Sequence, residues 1–279
     1  MSIRSARGGR GAWLLAAVLV LAGCGGAAAP KRSEGPTPPA TPAGLGGKRV
    51  AVRPPSPRPA PVRCLAATTG LRSSAVAYAA VVRRRAIVRA RPVARSRVVA
   101  QLGRLDENGF AQVVGVVASR SGASCRPGWY RVQLAVLPNG TQGWVRAWAV
   151  DVYRVPTRIV VDLSQRRLRL YRGGKVVFRT AVAVGAAATP TPPGRYFVNE
   201  RWTLRDARGP FGPAALGISA HSVALQDVWV EHGPIAIHGT NEPASIGAAA
   251  SNGCIRVPNA AMRALFPLAP AGTPVVVRA

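Results

Sequence analysis

Two stretches near the middle of the chain repeat with a period of two. Arg158-Ile159-Val160-Val161-Asp162-Leu163 and Arg167-Leu168-Arg169-Leu170-Tyr171 alternate polar and apolar side chains. A helix brings residues three and four apart onto one face, whereas a strand turns every second residue to the same side. This pattern therefore demands a sheet. Arg172-Gly173-Gly174-Lys175 reads as the hairpin turn that follows. Val176 to Val184 continues the sheet, and Thr189 to Gly194 is a Pro-rich loop. Ile235-Ala236-Ile237 is a short strand leading into His238-Gly239-Thr240. Asn259 to Leu265 is the one convincing helix, and Pro274 to Val277 reads as a closing strand. Residues 156–279 thus form a β-dominated domain.

A second β segment precedes it, over residues 64–154. Ala86 to Arg91, Arg97 to Leu102, Ala111 to Val117, Trp129 to Leu134 and Gly143 to Val150 are short Val- and Trp-rich runs. Gly, Asn and Pro bound them, and Pro138-Asn139-Gly140 is a strong turn signal. The expected fold class is mainly β, in two successive β domains. Before both lie residues 24–63, in which ten prolines fall between Pro30 and Pro61. Such a segment cannot bury a core and favours an extended chain. At ~3.1 Å per residue it reaches up to about 120 Å.

Residues 1–23 read as a targeting segment. Arg4, Arg7 and Arg10 precede the apolar run Gly11 to Leu21, which is too short to span a membrane as a mature helix. The run ends in Leu21-Ala22-Gly23-Cys24, which resembles a bacterial lipobox. That resemblance implies a lipid on Cys24 and an extracytoplasmic, membrane-anchored protein acting in the cell wall. The plainer reading is an ordinary secretory signal. Export puts Cys64 and Cys125 in an oxidising compartment, where they are disulfide candidates. Cys254 is left over as a free thiol.

The net charge is +28, from 38 Lys and Arg against 10 Asp and Glu. This favours polyanions. Outside the cytoplasm those are anionic wall polymers and lipid headgroups. The preference for Arg over Lys fits genome composition equally well. No RNA-binding aromatic signature and no recognition-helix pattern points to nucleic acid.

The chemistry concentrates in Ile235-Ala236-Ile237-His238-Gly239-Thr240 and Ser251-Asn252-Gly253-Cys254-Ile255-Arg256. Gly253 lets a substrate backbone come close and leaves backbone N–H groups available. Arg256, two residues after Cys254, favours a thiolate. A neutral His238 within reach of the sulfur takes its proton and later returns it to a leaving amine. From spacing alone, a His at a strand end is more often a structural residue. Three other readings compete. A metal site would join His221, His232 and His238, but no acidic or thiol ligand falls at useful spacing. A papain-like peptidase places Cys before His, the reverse of the order here. A non-catalytic wall-binding protein would need no free thiol at all.

His238-Gly239-Thr240, a spacer with Ile246-Gly247, and Ser251-Asn252-Gly253-Cys254-Ile255-Arg256 resemble the signature of the L,D-transpeptidase (YkuD-like) catalytic domain. Gly209 to Ser219 and the opening hairpin match the same family, so the resemblance covers residues 156–279. It implies a β-sandwich-like fold with Cys254 as nucleophile and His238 as base. It also implies peptidoglycan stem peptides as substrates and no metal or organic cofactor. The thiolate attacks the carbonyl after the third residue of a stem tetrapeptide, D-alanine leaves, and an amine from a neighbouring stem resolves the thioester into a cross-link. The oxyanion donors would be the N–H groups of Cys254, Gly253 and Asn252. Arg256 would hold a substrate carboxylate, and Ser251, Gly239 and Thr240 would support the loop. Many members carry His where this chain has Asn252, which leaves the base role to His238 alone. Gly128 to Val132 and Gly140 to Val145 resemble bacterial SH3-like wall domains, which implies a small β-barrel ahead of the sandwich-like domain, and peptidoglycan binding. The alternative is a plain spacer with Trp129 and Trp144 in its core.

Overall fold

The structure is a computed structural model and describes residues 67–73, 75–225 and 233–279. The targeting segment, Cys24, the Pro-rich stretch, Cys64 and His232 lie outside the described residues. The strands of the first sheet are β1 (Thr68–Gly70), β2 (Ala77–Val82), β3 (Ala86–Arg89), β4 (Val98–Leu102), β5 (Val113–Ser121), β6 (Pro127–Gln133), β7 (Gln142–Arg146) and β8 (Val150–Val155). Their order is β4-β3-β7-β6-β5-β2-β8, with β1 also on β5. The expected run Gly143 to Val150 is not one strand: a 3-10 turn at Ala147–Ala149 separates β7 from β8. Trp129 is buried beneath the Arg146 guanidinium, 4.2 Å from the ring centre, and Trp144 is half-buried. Cys125 is disulfide-bonded.

The remaining strands are β9 (Thr157–Asp162), β10 (Arg167–Arg172), β11 (Lys175–Ala181), β12 (Val184–Gly185), β13 (Gly194–Thr203), β14 (Ala214–His221), β15 (Pro234–His238), β16 (Ala249–Ser251), β17 (Ile255–Arg256) and β18 (Pro274–Arg278). Helix α1 spans Asn259–Leu265, where the sequence places it. The second sheet runs β11-β10-β9-β18-β13-β14-β15-β17, and β12 pairs separately with β16. The mainly β expectation is borne out. Strand β18 does not close an edge, however: it lies between β9 and β13, parallel to β9 and antiparallel to β13. Strand β11 stops at Ala181, short of the expected Val184.

The period-two pattern explains which faces are buried. Ile159, Val161, Leu168, Leu170, Val275 and Val277 all point into one core, shared with Leu216, Ile237, Ile255 and α1's Met262 and Leu265. Strand β13 serves two partners. Gly194–Phe197 pairs with β18, and Val198–Thr203 pairs with β14 after a register shift between Val198 and Glu200.

The two sheets meet because the first is apolar on both faces. Val114 and Val116 of β5, with Ala80 and Val82 of β2, face its own core. Their odd-numbered neighbours Val113 and Ala79 turn the other way and, with Val155, pack around Phe197 of β13. Polar bonds fix the same junction. Gln133, itself buried, donates Nε2–H to the Arg195 carbonyl, and Tyr153 donates its hydroxyl to the Ala271 carbonyl at 3.0 Å.

Candidate active site

Strand β17 pairs in parallel with β15, in the register Ile237↔Ile255 and His238↔Arg256. Ile237 and Ile255 face the core, so the alternation turns His238 and Arg256 to the opposite side. Cys254 directly precedes β17, two residues before Arg256. One short parallel pairing thus sets His238 beside Arg256, with Cys254 in the loop just ahead of β17.

His238 is 3% exposed, with the Phe211 ring set edge-on at 4.9 Å between centroids. Its Nδ1 lies 2.5 Å from the Gly239 carbonyl oxygen. A carbonyl only accepts, so Nδ1 carries the proton and Nε2 keeps its lone pair. Burial, partly offset by that bond and reinforced by the Arg256 charge, pushes the imidazole down to about 4. At neutral pH it is therefore an uncharged base. Burial also pushes the Cys254 thiol up, while the Ala236 backbone N–H and the Arg256 charge pull the other way. Cys254 is partly exposed as a residue, and it is a free thiol.

The loop that presents Cys254 is held by its own polar atoms. Ser251 Oγ donates to the Cys254 carbonyl and accepts the Gly253 N–H at 3.2 Å. The Gly253 amide expected as an oxyanion donor is thus bonded to Ser251 in this structure. Gly253 matters through its backbone: its φ is +106°, and a Cβ there would come within 2.9 Å of Ile235 Cδ1. Asn252 is exposed. Thr240 Oγ1 accepts the Glu242 N–H at 3.0 Å. Arg256 is not a free fork: its Nη1 pairs with Glu242 Oε2 and lies 3.4 Å from Ser245 Oγ.

Two residues with a part in this loop carry no signal in the sequence. Thr191 donates Oγ1–H to the Gly253 carbonyl at 2.8 Å while accepting the Gly185 N–H at 2.9 Å, tying the nucleophile loop to β12. Asn259 Oδ1, at the start of α1, accepts the Thr240 N–H at 2.7 Å. Gly239 packs against that same oxygen, where a Cβ would come within 2.3 Å.

Cys254 and Asn252 line a cavity of about 840 Å³. Strands β13, β14 and β15 form one wall and loops of the first sheet the other. Among the described residues, no group of three His, Cys, Asp or Glu side chains is placed to hold a metal ion. No helix of the described residues is long and apolar enough to cross a membrane.

The fold and the site define a mainly β protein with an imidazole at the end of one strand and a thiol in the loop just before the parallel strand beside it. Residues 156–277 match the L,D-transpeptidase catalytic domain, YkuD. The YkuD protein of Bacillus subtilis (strain 168) is 35% identical over 127 residues, which are 46% of this chain and 69% of that protein. Its counterpart in Bacillus licheniformis is 37% identical over 123 residues, 44% of this chain and 66% of that protein. Among solved structures, the catalytic domain of the E. faecium L,D-transpeptidase is 25% identical and covers 44% of this chain and 96% of its own, with a TM-score of 0.32. An L,D-transpeptidase from Mycobacterium smegmatis is 16% identical and covers 52% of this chain and 76% of its own, with a TM-score of 0.35. The chain belongs to the YkuD family of L,D-transpeptidase catalytic domains.

Proposed function

We propose that this protein is a peptidoglycan L,D-transpeptidase working by cysteine acyl transfer. The observation that supports the reading is the β15–β17 pairing, which sets the lone-pair-bearing imidazole of His238 beside Arg256, two residues after a free thiol that lines a cavity. His238 Nε2 takes the Cys254 proton as sulfur attacks the carbonyl after the third residue of a stem tetrapeptide. A C–S bond forms, the tetrahedral oxyanion collapses, and the C–N bond to D-alanine breaks as the imidazolium returns its proton to the leaving amine. An amine of a second stem then attacks the thioester, which breaks the C–S bond and forms the cross-link. The Cys254 and Asn252 N–H groups are the oxyanion donors we assign, and losing one such donor costs about 2.7–4 kcal/mol of transition-state stabilisation. Joining Gly253 to them requires its bond to Ser251 to open.

Anchoring through Cys24, wall binding by residues 64–154 and contact with anionic wall polymers complete this reading. The protein then works outside the cytoplasm, at the distance its Pro-rich segment allows.

The test is incubation with a stem tetrapeptide, followed by mass spectrometry of the products. D-alanine release with a dimeric product is expected from the wild type, with at least a thousandfold loss in Cys254→Ala. Turnover by Cys254→Ala near the wild-type rate removes the proposal.

A further inference from the structure

The cavity beside Cys254 is walled on one side by the first sheet, and that side has a loop built to stay there. Asp106 opens a tight turn: its Oδ1 accepts the N–H groups of Asn108 at 3.1 Å and Phe110 at 2.8 Å. The turn forms a strap between Leu105 and Ala111, which bridge to each other. The strap is pinned across the cavity to β13. Asn108 Nδ2 donates to the Glu200 carboxylate at 3.2 Å, and the Phe110 ring stands edge-on to Trp202 at 4.5 Å. A second clamp holds the other side of the cavity. Asn139 donates Nδ2–H to the His221 carbonyl at 2.8 Å and accepts the His221 N–H at 2.9 Å.

The charge of this cavity runs against that of the chain. Among the described residues no Lys or Arg lines it, whereas Asp106, Glu107 and Glu200 do. The Asn199 carboxamide oxygen at the same wall is buried without a hydrogen-bond partner. Hydrogen-bond acceptors and negative charge suit a cationic donor and disfavour a carboxylate. Arg256, the cation nearest the nucleophile in sequence, is paired to Glu242 and does not face this space.

We propose that the first β domain is half of the substrate site, and that its Asp106–Phe110 strap receives the amine-bearing acceptor arm of the second stem peptide. This rests on the acyl-transfer reading above and extends it by assigning the acceptor side. The arriving group is an ammonium. It gives up one proton to solvent, and the free amine attacks the thioester carbonyl. The C–N bond forms, the C–S bond breaks, and the second amine proton goes to the sulfur by way of His238. Glu107 is the specificity residue within the strap: it is exposed on the cavity rim and free of the turn's own bonding. Asn108 is a positioning residue that acts through Glu200.

The full chain is to be assayed in two half-reactions, thioester formation from a stem tetrapeptide alone and transfer to an added amine-bearing stem. Glu107→Lys is expected to raise the acceptor KM about three- to tenfold beyond any change in the donor half-reaction. It should also shift product toward hydrolysis. Glu107→Gln should do so less, and Asn108→Ala should raise acceptor KM without altering the salt response. Raising ionic strength from about 0.05 to about 0.5 M should compress the Glu107→Lys difference, which a merely structural effect would not do. Equal loss in both half-reactions, or an unchanged acceptor KM in Glu107→Lys, overturns the assignment. Absence of thioester in the wild type instead overturns the acyl-transfer reading on which it rests.

Discussion

Cys254 and His238 are held toward neutrality by the same burial, and this sets the pH behaviour of the site. The imidazole keeps its lone pair until the pH falls through about 4, because its folded-state value is depressed from 6.5. The thiol is raised from 9.0, so free thiolate is scarce at neutral pH. A general-base pathway therefore gives a flat acylation rate between about pH 5 and 8 that falls only on the acid side of that range. His238→Asn should abolish the plateau and leave a slow rate climbing about tenfold per pH unit as thiolate forms. An acid limb centred near the ordinary histidine value in the wild type would contradict this environment for His238. The pair itself was legible in the sequence through the two short motifs around it. Thr191 and Asn259 were not, because each acts by bonding the backbone of a loop far along the chain. A lone Thr in a Pro-rich loop, or an Asn at a helix start, reads as local punctuation until the tertiary partner is known.

At the scale of elements, β13 joins the two halves of the molecule. Phe197, 1% exposed, leaves β13 to pack among Ala79, Val113 and Val155 of the other sheet. Phe197→Ala should cost about 3–5 kcal/mol of unfolding free energy. Urea denaturation measures this, and a loss below about 1 kcal/mol would mean the sheets do not depend on each other. The strands with one wet face, β9 and β10, were plain from their alternation. Strands β13 and β14 were not anticipated. Ala214–His221 is buried on both faces for most of its length, and Tyr196-Phe197-Val198 forms a run with no polar alternate. A strand covered on two sides loses the period-two signal that marks one covered on a single side. The break between β7 and β8 was hidden for a related reason, since Ala147-Trp148-Ala149 is as apolar as the strands beside it.

For the whole molecule, the first sheet does more than precede the second in sequence. It shares a core with β13, clamps β14 through Asn139 and closes one side of the cavity onto which Cys254 opens. Sequence composition foretold a strongly basic protein but not that no described Lys or Arg lines this cavity, because charge placement depends on which loops the fold brings together. The account as a whole requires that the sulfur reaching that cavity be a working nucleophile. Intact-mass measurement after incubation with a carbapenem, whose strained lactam carbonyl is an acyl donor, tests this most directly. One adduct of the reagent's full mass on the wild type, and none on a folded Cys254→Ala variant, is the expected result. An unmodified wild type, or the same adduct on Cys254→Ala, would contradict it.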